Sequence, residues 1–196
     1  MKQLVLASNN KHKITEFETI LAQYQILTLD DIGFQEEIVE DGETLLENAF
    51  IKAKSVHNFL LDNNLSYDVI SDDTGLFVPS LNGEPGIHSA RYAGNHDDKS
   101  NRNKLRENVK DKDRDAYFMC QIVYYPMNGD IYECNGKVEG LILDEERGKD
   151  DFGYDCIFFS KELEKTFGEA SKEEKNRVSH RGRAIQKLKD FLEKKA

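Results

Sequence analysis

The residues best suited to chemistry stand at Asp72-Asp73, inside the segment Ser71 to Leu76 (SDDTGL), directly after the apolar run Tyr67 to Ser71. Two adjacent carboxylates behind a hydrophobic strand are costly to bury unless a cation compensates them. A hard divalent ion held by oxygen ligands is the usual partner, and Mg²⁺ is the natural candidate. The plainer reading is that one of the pair caps a turn. A second such place is Ser8-Asn9-Asn10-Lys11-His12-Lys13, between a strand-like and a helix-like run. Backbone N–H groups and the positive helix pole at that junction suit phosphate, and Lys11 and Lys13 add charge. Ser and Asn also serve there as ordinary caps. The segment is neither a P-loop nor a GxGxxG fingerprint.

Two further segments carry recognition chemistry. In Phe152-Gly153-Tyr154-Asp155, aromatics flank a glycine; Phe152 or Tyr154 offers a flat apolar surface to a ring, and Gly153 lets backbone approach it. An ordinary core aromatic is the alternative. In Lys175 to Ala184 (KNRVSHRGRA), Lys175, Arg177, Arg181 and Arg183 concentrate positive charge just before and inside the start of the last helix. The helix dipole disfavours cations there, so the placement points to a nearby anion, with a solvated basic face as the other reading.

The elements that must position these residues alternate between strand-like and helix-like patterns, which predicts an α/β architecture. Lys2 to Ala7 reads as a buried strand, followed by a helix through Ile14, Phe17, Ile20 and Leu21, and by a second strand over Gln25 to Leu29. A long helix is predicted from Leu45 to Leu61, with Thr44 and Glu47 in the form of a capping box. Leu45, Ala49, Ala53, Val56 and Leu60 make its core-facing stripe, while Asn48 and Lys52 share a flank. Tyr67 to Ser71 is a short strand that places the two acids at its end, and Leu76 to Val78 extends it. The Gly- and Pro-bearing stretch Asn82 to Asn95 reads as loop, Asp97 to Val109 as helix, and Ala116 to Tyr125 with Asp130 to Leu143 as a long hairpin. Cys156 to Phe159 is a short strand. The last helix starts near Ser179, with Ala184, Ile185, Leu188, Phe191 and Leu192 on its apolar face.

With 196 residues the chain can bury one substantial core, and a single domain over 1–196 is expected. Eleven Phe and eight Tyr, with apolar runs at regular intervals, argue against disorder. No apolar stretch approaches the ~20 residues needed to span a bilayer, so no membrane role and a cytoplasmic location are expected. Cys120, Cys134 and Cys156 are widely spaced and odd in number, which reads as reduced, structural thiols. A net charge of -10 argues against a nucleic-acid-binding surface and requires any polyanionic ligand to meet a local basic pocket, a metal or both.

Together the segments resemble the inosine/xanthosine triphosphate pyrophosphatases, the Ham1-like family. The matching pieces are SNNKHK, EDGETLLENAFIKA at 40–53, SDDTGL, PGIHSARYAG at 85–94, FGYD and KNRVSHRGRA, in the family's order and spacing over nearly the whole chain. The resemblance implies an elongated α/β fold: a central mixed β-sheet flanked by helices, in two lobes with a deep cleft between them, usually as a homodimer. It also implies Mg²⁺-dependent hydrolysis of ITP, dITP and XTP to the monophosphate and pyrophosphate. Carried over by position, Ser8, Asn10 and Lys13 hold the triphosphate and Lys52 reaches it. Asn9, Lys11 and His12 complete that segment. Asp73 is the general base and a metal ligand, with Asp72 beside it and Thr74 at the substrate. Phe152 to Asp155 sandwich the base, Lys175 approaches it, and His180 and Arg181 read its 6-oxo edge. The family's metal-associated Glu three residues before the glycine of EDG is matched by Val39; Glu40 stands next to it, and Glu47 is a second candidate. Where the family tends to follow FGYD with Pro, this chain has Cys156. The alternatives are a Maf-like pyrophosphatase acting on pyrimidine or modified nucleotides and a non-hydrolysing nucleotide sensor.

Overall fold

The computed structural model describes residues 1–195. Its sheet has eight strands, β1 (Gln3–Leu6), β2 (Gln25–Leu27), β3 (Asp68–Phe77), β4 (Pro85–Gly86), β5 (Asp115–Tyr125), β6 (Tyr132–Ile142), β7 (Phe158–Ser160) and β8 (Lys165–Thr166), in the order β2-β1-β3-β5-β6-β7-β8 with β4 paired to β3. β1 pairs in parallel with β2 and β3, while β4 joins β3, and β7 joins β6 and β8, in antiparallel fashion. The sheet is therefore mixed. The α-helices among the described residues are α1 (Lys11–Ile20), α2 (Leu45–Asp62), α3 (Asp98–Asn108), α4 (Lys172–Val178) and α5 (His180–Lys195). No helix among them is long and apolar enough to cross a membrane.

The chain forms two compact units, passing from one to the other after Asp73, Met119, Asn135 and Arg183. In the first unit the strands bury both faces, as parallel strands do. Period-two alternation sends Leu4, Leu6, Ile70, Cys120 and Ile122 to one face, against Phe17 and Leu21 of the α1 segment and Ala184, Ile185 and Leu188 of α5. The intervening Val5, Ala7, Val69 and Val123 meet Ala49, Ala53, Val56 and Leu60 of α2 on the other. The stripe expected on α2 is thus its buried face. The second unit centres on Leu76, Leu105, Phe118, Ile142, Phe158 and Phe167. All three cysteines are free thiols and buried.

Several boundaries differ from the sequence expectation. β3 does not stop at Ser71; it runs unbroken through Asp72 to Phe77, so the acids lie mid-strand and the turn-cap reading of either is ruled out. The stretch Asn82 to Asn95 is not all loop, because Pro85–Gly86 pairs with Phe77 and Leu76. The close approach there explains Gly75, whose added Cβ would meet the Gly86 carbonyl oxygen at 2.6 Å. The strand expected at Cys156 to Phe159 begins at Phe158 instead. Thr44 caps α2 by accepting from the Glu47 N–H, but the Glu47 carboxylate reaches back to the Glu43 N–H, so the reciprocal half of the capping box is displaced by one residue.

The start of β3 is fastened by Asp68, which accepts from the Tyr124 hydroxyl at 2.6 Å and the Met127 N–H at 2.9 Å and pairs with Lys2 at 2.7 Å. Burial pushes its carboxyl up, but the bonds from Lys2, Tyr124 and Met127 outweigh it and hold the pKa below the ordinary value. A lowered folded-state pKa contributes stability above the unfolded value that is lost as pH falls through the folded one. Asp68→Asn should therefore cost about 1 kcal/mol near neutrality and flatten the loss of stability below about pH 4, as read from urea midpoints across that range.

Candidate active site

In the first unit the two acids of β3 face opposite ways, because successive side chains of a strand alternate. Asp72, 2% exposed, lies on the face covered by α1, and Lys13 Nζ sits 3.0 Å from its carboxylate. The Cys120 thiol is a weak donor to the same carboxylate at 3.8 Å. Asp73 lies on the α2 face, where Lys52 Nζ stands 3.3 Å from it and 2.9 Å from Glu40 Oε1. One strand therefore presents two ammonium-paired carboxylates, each matched by a lysine from a different helix.

Electrostatics bind the group on the α2 side together. Burial acts to lower the Lys52 pKa, but Asp73, Asp72 and Glu40 reverse the sign and hold it above the ordinary value. Asp73 moves up: burial is the largest cause, Lys52 and Lys13 oppose it, and Glu40 and Asp72 add to it. Glu40 is brought here by the bend before α2, where the buried Asn48 accepts the Gly42 N–H through Oδ1 at 2.9 Å. Glu47 is occupied as the Glu43 cap, so of the two candidate glutamates the structure places Glu40, not Glu47, beside Asp73.

The Ser8 to Lys13 segment divides in function. Ser8 Oγ accepts from the Asn10 N–H at 3.1 Å, and Asn10, the N-cap of α1, accepts from the His12 and Lys13 N–H groups at 3.0 and 3.2 Å. Asn10 is thus the cap, and Ser8 closes the turn before it. Asn9, Lys11 and His12 are exposed, and Lys13 turns to Asp72. Glu40 and Asp73, two hard carboxylates flanking one cationic position, fit Mg²⁺ completed by phosphate oxygens, which commonly takes one or two carboxylates from the protein. Among the described residues no three His, Cys, Asp or Glu side chains form a ready-made cage.

In the second unit the expected residues Phe152, Asp155, Lys175 and His180 are linked through two core rings, Phe167 and Phe118. Lys175 Nζ pairs with Asp155 and lies 5.8 Å from the ring centres of both Phe152 and Phe167. Phe167 stacks on Phe118 at 6.3 Å, Phe118 stacks on His180 at 4.5 Å, and Arg181 Nη2 donates to Thr74 Oγ1 at 3.3 Å. Tyr154 departs from the expected sandwich. Its ring belongs to the core and its hydroxyl donates to the Ser89 carbonyl at 2.6 Å, which leaves Phe152 as the half-exposed aromatic of the segment. Lys175 sits in α4, a short helix that ends before the last helix begins and that the sequence pattern did not show. In α4's last turn it is favoured by the dipole rather than opposed by it. Arg177 is exposed and Arg183 pairs with Glu162, so Lys175 and Arg181 are the buried cations of the basic segment.

The sequence profile of the Ham1 family matches residues 4–191. The chain belongs to the Ham1 family. It is 48% identical to the dITP/XTP pyrophosphatase of Clostridium perfringens over 98% of each chain, and 41% identical to that of Campylobacter jejuni over 97% of this chain and 96% of the relative. Among solved structures, the Ham1 protein of Staphylococcus aureus superposes with a TM-score of 0.88 at 40% identity over the full length of both chains. A HAM1 protein of Coxiella burnetii gives 0.86 at 35% identity, over 99% of this chain and all of the other.

As a Ham1-family lysine between Glu40 and Asp73, Lys52 should be a structural necessity before any substrate arrives. Lys52→Met leaves the partly buried Glu40 and Asp73 without their cation and should destabilise the protein by about 2 kcal/mol at neutral pH. The deficit should narrow on acidification, as the orphaned carboxylates take up protons, in denaturant titrations run at pH 7 and pH 5.

Proposed function

We propose that this Ham1-family chain hydrolyses non-standard purine nucleoside triphosphates, ITP, dITP and XTP, to the nucleoside monophosphate and pyrophosphate. The observation that carries the proposal is Asp73 in mid-strand, held against a lysine that also holds Glu40. The names of the closely similar relatives supply the reaction and substrate class. A cytoplasmic homodimer is part of the same proposal, on the strength of the resemblance.

Cleavage between the α and β phosphates forms a bond from water oxygen to the α-phosphorus and breaks the one to the bridging oxygen, releasing pyrophosphate. The protein must orient the water and neutralise the charge growing on the leaving oxygens. Asp73 accepts the proton of the attacking water, and Lys13 and Lys52, at the faces of β3, supply positive charge to the phosphates. Asp73 and Glu40 would hold Mg²⁺, with Asp72 as a neighbouring negative charge; when bound, the ion supplies Lewis-acid neutralisation of the phosphate oxygens. Phe152 offers its ring to the base, and Arg181 and His180 offer donors to a 6-oxo group. Adenine carries an amino group there and leaves such donors unpaired, which a buried site penalises.

The test is a panel of ITP, dITP, XTP and ATP, with and without Mg²⁺, read as pyrophosphate release. The three oxo-purine substrates should turn over only with Mg²⁺, and ATP poorly. Asp73→Asn should lose about 10²- to 10⁴-fold in kcat, the usual range for removing a general base, while folding normally. Equal cleavage of ATP and ITP would refute the roles of His180 and Arg181, and an unchanged kcat would remove Asp73 from the chemistry.

A further inference from the structure

Helix α3 carries none of the residues assigned above to substrate, yet two of its side chains, one turn apart, grip the backbone of the loop that presents Phe152. Asp98, in the first turn, accepts the Gly153 N–H through Oδ2 at 2.9 Å. Arg102, only 3% exposed, donates from Nη1 to the carbonyls of Asp151 at 2.8 Å and Gly153 at 2.9 Å, and from Nε to Glu146 at 3.0 Å. The Phe152 N–H is itself engaged by Asp150 Oδ1 at 3.0 Å. Backbone groups on both sides of the ring-bearing residue are thus fixed by side chains.

This arrangement is chemically specific. Gly153 has φ 56°, the left-handed region that a side chain disfavours, so the loop cannot relax into an extended path without breaking its bonds to α3. The guanidinium spreads these bonds over Nε and Nη1 in a fixed plane; a lysine, with its three donors on one nitrogen at the end of a flexible stem, cannot span the same set of acceptors in that geometry. Burying an arginine to hold loop carbonyls that water could have solvated is costly. Such an expense fits a loop whose side chain must be held in one pose, which is how binding groups are made effective.

We propose that Asp98 and Arg102 are positioning residues for the nucleobase: they hold the 151–153 backbone so that Phe152 presents its ring face to a purine, and they set affinity for the base without setting affinity for the polyphosphate. This rests on the pyrophosphatase activity proposed above. A merely structural role would weaken both affinities together.

The experiment compares inhibition of ITP hydrolysis by the two products, inosine monophosphate and inorganic pyrophosphate, in the wild type, Asp98→Ala, Asp98→Asn and Arg102→Lys. In Asp98→Ala and Arg102→Lys the inhibition constant for the monophosphate should rise about tenfold while that for pyrophosphate stays within about twofold, the scale of one base–aromatic stack. Asp98→Asn keeps an acceptor for the Gly153 N–H and should recover most of the monophosphate affinity. Constants that move together, or a monophosphate constant that does not move, would overturn the positioning role. Should Asp98→Ala fail to fold, Arg102→Lys carries the same comparison. Wild-type protein that releases no pyrophosphate from ITP would instead overturn the activity itself, a result that needs no variant.

Discussion

Placing two consecutive carboxylates inside a sheet strand is the constraint from which the rest of the site follows. Alternation sends Asp72 and Asp73 to opposite faces, so one cation cannot serve both as a turn-borne pair would allow. Each face must bring its own lysine. The first helix supplies Lys13 from just past its N-cap, and α2 supplies Lys52 from its core-facing flank. Lys52 lies close to Asp73 and Glu40 together, which draws the segment before α2 toward β3 and gathers the oxygen donors that a divalent ion prefers.

The second unit solves a different problem. There Lys175 stands beside Asp155 and the half-buried ring of Phe152, and the core rings Phe167 and Phe118 link it to His180, next to Arg181. Aromatic rings in a core cannot also face a ligand, and Tyr154 shows the division: bonded to Ser89 and packed in the core, it anchors the segment that Phe152 tips. Asp73 and Thr74 are consecutive in β3, Asp73 in the first unit and Thr74 in the second.

Much of this was legible in the residues alone where the signal was periodic. The α2 stripe, the apolar face of α5 and the mixed sheet follow from local pattern and family resemblance. The extent of β3 did not, because Asp-Asp-Thr-Gly has poor strand propensity and pairing with a neighbouring backbone overrides it. Glu40 and Glu47 could not be separated by spacing, since the choice depends on which one the bend at Gly42 turns inward. The short α4 and β8 carry too few residues for a period to show. Asp98 and Arg102, four apart on a helix, look in sequence like an ordinary surface ion pair, and only the folded chain shows them spent on loop backbone.

The central claim is that the carboxylates of β3 and Glu40, lysine-paired in the folded chain, form the centre at which a divalent ion meets the triphosphate. Paramagnetic broadening of side-chain carboxyl ¹³C signals by Mn²⁺, in the presence of a non-hydrolysable inosine triphosphate analogue, tests it most directly. Broadening strongest at Asp73 and Glu40, weaker at Asp72 and slight at Glu47 is the predicted result. Broadening centred on Glu47, or signals of Asp73 and Glu40 that stay sharp while the analogue is bound, would contradict it.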